Sequence, residues 1–534
     1  MRLGRGPGRS GERGLLGDVR RGAVWEFANV AFSRFGQFAL GVLIARIISP
    51  NQFGIFAVAL VVQAVVMSLN ELGVSEALTR GGEDRRAVAT VTTVSVLSSS
   101  ILAVAMYLAS PALAGLMNTP EATPTLRVLS LTVVLAGFAA TPIALLRRDF
   151  QQDRQLAADA SGTVVQGIVV VLMALLGFGA LALAWSRVAG QATTTVILQV
   201  ASPERFRLGI DLSQMPRLLR FGLPLAMAQG VSWLVVNADY VVISRTMGSL
   251  PLGYYLLAFN ISGWPLSVFG SVVRAVALPA FGRLRADREA LARAVVAAVG
   301  GVATITFPVC FLLGALAQPL VHVVYGPRWA QSAAPLMTLA LFTAVRGVLE
   351  LFTGFTVAHG RTRVVLYVQL AWLAALVPAL VLGSRVAGLA GVGAGQTLVA
   401  GLVVLPAFLL LVRSDGLHPV RALAAALPAF ASAALAAALA FGVSRLLPWP
   451  LLALAAGGLV GVAAYGLLMR HHLKLLYVTI RGRGSEEGLP AQDEAPAPEP
   501  DGAAGDEGRD AERTQPAAAR PGANAASGGE SGPA

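Results

Sequence analysis

Apolar residues in this chain come in long blocks separated by short polar stretches. A hydrocarbon core of about 30 Å needs about 20 apolar residues at a helical rise of 1.5 Å per residue. On that measure the pattern predicts fourteen membrane-spanning helices: Ala23–Arg46, Phe53–Gly73, Ala87–Ala109, Leu126–Leu146, Ala160–Gly179, Ala180–Ala201, Leu218–Ser244, Leu252–Leu278, Ala294–Leu316, Ala334–Val357, Val364–Leu382, Gly388–Val412, Ala422–Val443 and Pro450–Leu468. The fifth and sixth are separated only by the turn Gly177-Phe178-Gly179. Arginines test the count. They cluster in alternate loops, such as Arg147, Arg148 and Arg154, then Arg205, Arg207, Arg217 and Arg220, then Arg283, Arg285, Arg288 and Arg293. The intervening loops carry about one each: Arg245, Arg328, Arg385 and Arg445. The bias never flips along the chain, which predicts an even number of spans with both termini cytoplasmic.

Polar residues inside the spans stand out against this background. The first span carries Glu26, Asn29, Ser33, Arg34 and Gln37. At 100° per residue they fall within an arc of about 140°, one side of the helix. Arg34 lies about 12 residues into the span, roughly 18 Å deep and close to the bilayer midplane. A charge there costs about 2.5–3.5 kcal/mol even on the lenient insertion scale, so the stripe should face a bundle interior or a watery cavity. Function and a structural ion pair, with Glu26 or with a residue of another helix, compete for Arg34. Arg346 and Glu350 are spaced to neutralise each other on one helix face. Arg274 lies near the inner end of the eighth span, within snorkelling reach of the interface. Asp239, near the outer end of the seventh span, and Glu71, near the inner end of the second, are candidates for a coupling ion or proton; a cap or packing contact competes for Glu71. Arg46 and Arg245 sit at outer span ends, where snorkelling accounts for them.

The same spacing occurs twice. Arg46 precedes Gly54 as Arg245 precedes Gly253, each between spans running in the same sense. That suggests a parallel repeat of two six-span halves about the membrane normal, with spans thirteen and fourteen outside it. The organisation expected is a basic cytoplasmic segment at 1–22, an N-lobe at 23–217, a C-lobe at 218–412, the last two spans with a basic juxtamembrane segment at 413–483, and a disordered cytoplasmic tail at 484–534. The tail is rich in Ala, Pro, Gly and acids and has too few large apolar residues to bury a core.

Composition agrees. Hydrophobic residues make up 55% of 534 and charged residues 13%, the balance of a polytopic membrane protein. The net charge of +12 rests almost wholly on arginine, Lys474 being the single lysine. The positive-inside rule explains that excess, so it gives no reason to invoke nucleic acid. Cys310 is the only cysteine and forms no internal disulfide. No cleavable signal peptide is recognised; the Arg-rich start reads as a cytoplasmic anchor. The chain lacks His-Glu-x-x-His, a cysteine pair and a phosphate-loop lysine. The glycine run from Gly388 to Gly395 lies inside an apolar span and suits helix packing. No catalytic, metal or cofactor constellation is found.

Several motifs occur in a familiar order. The stretch from Leu43 to Phe56 (LIARIISPNQFGIF) is followed by Asn70-Glu71-Leu72-Gly73-Val74, Leu146-Arg147-Arg148-Asp149-Phe150 and Gly177-Phe178-Gly179-Ala180-Leu181-Ala182-Leu183. Arg220-Phe221-Gly222-Leu223-Pro224, Asn237-Ala238-Asp239-Tyr240, Leu252-Gly253-Tyr254-Tyr255 and Leu278-Pro279-Ala280-Phe281 complete the set. From Ala23 to about Arg363 the chain resembles the Wzx-type lipid-linked oligosaccharide flippases of the multidrug/oligosaccharidyl-lipid/polysaccharide exporter superfamily. The tail beyond Arg483 has no counterpart there. The resemblance implies an all-α fold of two six-helix lobes around a cavity that opens alternately to either side. It implies a polyprenyl-diphosphate-linked oligosaccharide as cargo, carried from inner to outer leaflet of the cell membrane for surface polysaccharide synthesis. Asp239 matches a recurring acid of that family. Arg34, Gln37, Asn29, Arg346 and Arg274 become the candidate contacts for the diphosphate and glycan, and Asp239, Glu71 and Glu350 the candidates for a coupling ion. Partners expected are the lipid-linked glycan, the bilayer and other polysaccharide-export proteins.

Four other readings compete. A drug exporter of the same superfamily would be expected to place acids in its cavity, whereas Arg34 favours an anion. Lipid II also bears a diphosphate-linked sugar and stays open as cargo. A membrane-embedded polymerase or glycosyltransferase needs acids displayed in a sizeable outer loop, and the outer loops here are short and acid-poor. A scaffold acting through the tail is the remaining alternative.

Overall fold

The computed structural model describes residues 39–70, 85–149, 151–202, 209, 236–283, 288–358, 361–413, 419–470 and 472. Among them there is no strand. The first half contributes α1 (39–47), α2 (Pro50–Asn70), α3 (Arg85–Leu116), α4 (Thr123–Arg148), α5 (Gln152–Leu175) and α6 (Ala180–Ala201). The second contributes α7 (236–247), α8 (Ser249–Arg283), α9 (Arg288–Ala315), the short α10 (Ala317–Val324), α11 (Ala333–Ala358) and α12 (Thr362–Val399). A π-helical turn, Ala400–Val404, leads into α13 (Leu405–Arg413). Finally α14 (Pro419–Leu446) and α15 (Pro450–Leu468) pack on each other, and α14 also packs along α9. Nine described segments are long and apolar enough to cross a membrane. One of them, Val364–Leu411, holds two spans divided by a kink at Ala387 and Gly388. The described helices cover all or part of each of the fourteen expected spans, although several run past the expected ends; α3, for example, reaches Leu116.

Hydropathy explains why these segments are helices: in lipid, a helix is the way an isolated segment satisfies its own backbone. Proline starts several of them, at Pro50, Pro419 and Pro450, where its missing N–H costs nothing. Large apolar side chains such as Leu108, Leu172, Val200, Leu402 and Leu459 stay exposed on the bundle, the surface expected to meet lipid chains.

The halves repeat one another beyond the Arg–Gly spacing. A 3-10 turn, Pro120–Ala122, precedes α4, and another, Pro327–Ser332, precedes α11. Gly179 begins α6 with φ 54° and ψ −123°, while Gly388 begins the second part of α12 with φ 57° and ψ −137°. That backbone conformation is closed to residues bearing a Cβ, so the same local solution recurs at the same place in each half.

The two copies meet directly. Helices α2 and α8 cross at Gly54 and Gly253. A Cβ on Gly54 would stand 1.7 Å from the Ser249 carbonyl oxygen, and one on Gly253 would stand 1.8 Å from that of Pro50. Beside the crossing, the Ser249 hydroxyl donates to Asn51 Oδ1 at 2.8 Å. Backbone therefore packs on backbone, as small residues allow between membrane helices.

Overpacking such a contact costs about 1–3 kcal/mol. With Cys310 replaced by Ser, a cysteine pair at positions 51 and 249 should cross-link readily under mild oxidation, and adding Gly253→Leu should lower the cross-linked fraction roughly tenfold. Undiminished cross-linking, read as a gel shift, would show that the crossing is not tight.

Candidate functional site

Two arginines extend the crossing into a joint between the halves. Arg46, at the end of α1, donates through Nη2 to Val323 O at 2.9 Å and through Nε to Val324 O at 3.0 Å. These are the last carbonyls of α10, which have no partner within their own helix. Arg245, at the end of α7, donates through Nε to Leu116 O, the last carbonyl of α3, at 2.8 Å. Each half thus caps a helix of the other with a cation, where the helix dipole also favours positive charge. Ser244 Oγ donates to Met117 O at 2.6 Å, and Trp329 Nε1 donates to Ala45 O at 2.7 Å. The Trp329 ring, fully buried, packs edge-on against Phe53 at 5.2 Å and Tyr254 at 6.2 Å. Snorkelling had accounted for Arg46 and Arg245; instead both are spent on interhelical bonds. Among the described residues, every hydrogen bond between the halves lies at this one end of the bundle.

Away from the joint, a cavity of about 240 Å³ opens between α8 and α11. Phe259, Ser262, Gly263 and Leu266 line one side, and Phe342, Thr343, Arg346 and Glu350 the other. Arg346 Nε lies 3.8 Å from Glu350 Oε1, and both side chains are about one-third exposed (34% and 31%). The pairing is loose and faces open space. Arg346 has five N–H donors, so donors remain for another group.

Asp239 lies one side chain away from that cavity. It is 1% exposed. Its carboxylate accepts from Tyr255 Oη at 2.8 Å, Gln396 Nε2 at 2.9 Å and the Tyr240 backbone N–H at 2.9 Å. Phe259, a cavity wall, stacks on Tyr255 at 6.2 Å and meets the edge of Tyr240 at 5.6 Å. Gln396 Oε1 is buried and has no partner. Three helices, α7, α8 and α12, therefore converge on one acid. Tyr255 and Gln396 had not been singled out from the sequence. Tyr255 lies inside a motif quoted above for its order alone, and nothing in the chain links Gln396 to a residue 157 positions earlier.

The structure thus places Arg346 and Glu350 together on the cavity and Asp239 behind its wall. Arg274 lies on α8. Arg34, Gln37, Asn29 and Glu71 lie outside the described residues. No group of three metal-ligating side chains occurs among the described residues.

Two helical halves joined at one end, with a largely apolar cavity that carries Arg346 and Glu350, define a multi-pass membrane protein of transporter architecture. Comparison with known proteins carries this further. A family model described as polysaccharide biosynthesis protein matches residues 43–334. The chain belongs to that family. It is 29% identical over 336 residues to the succinoglycan biosynthesis transport protein ExoT of Rhizobium meliloti, covering 60% of this chain and 66% of that one. It is 25% identical to the lipopolysaccharide biosynthesis protein WzxC of Escherichia coli, covering 71% of this chain and 77% of that one. Its fold is shared with the lipid II flippase MurJ in an inward closed conformation (TM-score 0.67, 15% identity, 83% of this chain and 100% of that one). It is also shared with a multidrug transporter of the MATE family in an inward-facing conformation (TM-score 0.60, 17% identity, 71% and 94%).

Removing one partner of a buried acid costs about 1–3 kcal/mol. Tyr255→Phe should therefore lower thermal stability in detergent by that amount while leaving insertion intact. An unchanged unfolding temperature would mean that the hydroxyl contributes nothing to holding Asp239.

Proposed function

We propose that this chain is a flippase, carrying a polyprenyl-diphosphate-linked oligosaccharide from the inner to the outer leaflet by alternating access and catalysing no covalent step. The observation that carries the reading is the cavity between α8 and α11, where Arg346 faces open space inside an apolar bundle. The diphosphate is the one fixed charge common to such lipids. At an effective dielectric near 20, a cation about 4 Å away contributes roughly 4 kcal/mol of attraction, and a guanidinium also binds oxygens in bidentate fashion. Phe259 and Phe342 supply apolar faces suited to sugar rings. The names of the relatives, a succinoglycan biosynthesis transport protein and a lipopolysaccharide biosynthesis protein, support a polysaccharide cargo.

The arginine bias of the loops puts both termini in the cytoplasm and the Arg46–Arg245 joint on the outer face. In that orientation the halves are latched outside, a state that receives cargo from within. We assign the halves to 23–217 and 218–412, with 413–483 adding two helices beyond the repeat. Asp239 is the candidate for a coupling ion, because its carboxylate and the unpartnered Gln396 Oε1 present two oxygens in one dry pocket. Arg34, Gln37, Asn29 and Arg274 stand as further cargo contacts, and Glu71 and Glu350 as further ion candidates. Lipid II remains the second cargo to offer, given the fold shared with its flippase.

The test is flipping of a fluorescent polyprenyl-diphosphate oligosaccharide in proteoliposomes. Wild type should transport, and Arg346→Ala should transport about tenfold less with normal insertion, the loss of one charged contact. Equal transport by both would remove Arg346 from the cargo site. Absence of transport by wild type, with lipid II flipped instead, would change the cargo.

A further inference from the structure

The repeat places an arginine where the second half has its buried glutamine. Gln396 lies eight residues after Gly388, and Arg187 lies eight residues after Gly179, the glycine with the same backbone conformation. The rest of the acid pocket maps likewise. Asp239 is six residues before Arg245, as Leu40 is before Arg46; Tyr255 is two after Gly253, as Phe56 is after Gly54. The first-half counterparts of Asp239, Tyr255 and Gln396 are therefore Leu40, Phe56 and Arg187.

The packing of α6 fixes where Arg187 points. Thr195 Oγ1 donates to Leu135 O and Gln199 Nε2 to Phe138 O, which sets α4 on one side. Thr194 Oγ1 donates to Ala158 O, and Gly190 packs on Gly162 and Gln166, which sets α5 on the other. Trp185, Val196 and Val200 are exposed on the outward face. At 100° per residue Arg187 points about 180° from those three, between α4 and α5. It faces the axis of the first half, yet its side chain is exposed. Among the described residues it has no hydrogen-bond or ion-pair partner. Leu40 approaches α5 at Gly167, at the level of Arg187, and supplies no counter-charge. Arg187 lies seven residues into α6, about 10 Å from its start. An unpaired guanidinium at that depth, facing inward, requires water or an anion.

We propose that Arg187 is an anion-binding residue in a lumen of the first half, and that its ligand is the phosphate oxyanion of the transported lipid. The second half closes the same position around an acid; the first half leaves it open around a cation. The choice of ligand rests on the flippase reading, whereas the anion site does not.

The experiment measures binding rather than transport. Full-length protein in detergent is titrated with farnesyl diphosphate, and separately with inorganic pyrophosphate, and the rise in unfolding temperature is followed for wild type, Arg187→Lys and Arg187→Gln. Arg187→Gln installs the residue of the equivalent position. Wild type should bind, Arg187→Lys should keep most of the affinity, and Arg187→Gln should lose about tenfold or more. Binding of farnesyl diphosphate alone assigns the anion to a lipid headgroup; binding of both assigns the site to the diphosphate itself. No binding by wild type, or equal binding by Arg187→Gln, overturns the proposal. With Cys310 replaced by Ser, Arg187→Cys should also react with a charged methanethiosulfonate and Trp185→Cys should not. The reverse order would put Arg187 in lipid and overturn it as well. If anion binding depends on Arg187 while proteoliposomes flip no glycolipid, the site stands and the flippase reading falls.

Discussion

Everything in this bundle hangs on the contact between α2 and α8. Lipid gives two apolar helices little reason to associate, so association must come from close packing and from polar groups with nowhere else to go. Gly54 and Gly253 provide the first, since each backbone reaches a carbonyl of the other helix. Arg46 and Arg245 provide the second by capping helix ends across the joint. Both devices are polar or backbone contacts concentrated at one end. Such a contact can separate only together with the apolar packing beside it, where the Trp329 ring meets Phe53 across the joint.

Hydropathy made the helices readable. A span of apolar residues has one stable form in lipid, and the positive-inside bias checked the count independently. The Arg–Gly echo was readable too, since a repeat leaves its spacing in the chain. What the echo meant was not. Arg46 and Arg245 look alike as span-end cations whether they snorkel or bond a carbonyl, and only the partner helix, some 280 residues distant for Arg46, decides. The same holds for Asp239. As an acid inside a span it stood out, but Tyr255 and Gln396 are ordinary residues until three helices bring them together. Arg187 was passed over because a single charge in an otherwise apolar block does not reveal which side of the helix faces lipid. Its direction follows from Thr195, Gln199 and Gly190, none of which signals a site alone.

Two copies of one architecture have thus diverged in sign. In the second half, Asp239 is held by a phenol and an amide in a dry pocket. In the first, Leu40 and Phe56 leave the equivalent place apolar and Arg187 exposed. A charge can be buried without loss only when every hydrogen bond is made, which is why the acid pocket has shrunk onto its ligands. Among the described residues the arginine has no such ligands, and the space in front of it stays open.

That difference bears on how one protein handles two charged species. A cargo anion and a coupling cation in the same cavity would pair with each other and leave together, which is cotransport and not exchange. The anion site proposed at Arg187 lies in the half opposite Asp239, whereas Arg346, the other proposed cargo contact, shares Asp239's half. Asp239 sits six residues from Arg245 on α7, and Leu40, at the level of Arg187, sits six residues from Arg46 on α1. Asp239 is therefore tied through α7 to the Arg245 cap, and Arg187, on α6, only through its neighbour Leu40 to the Arg46 cap. Occupancy of either pocket can bias the joint only through a difference in its affinity for the open and closed arrangements. In the second half the helix that carries the acid, α7, also carries the Arg245 cap, so movement of one cannot leave the other in place.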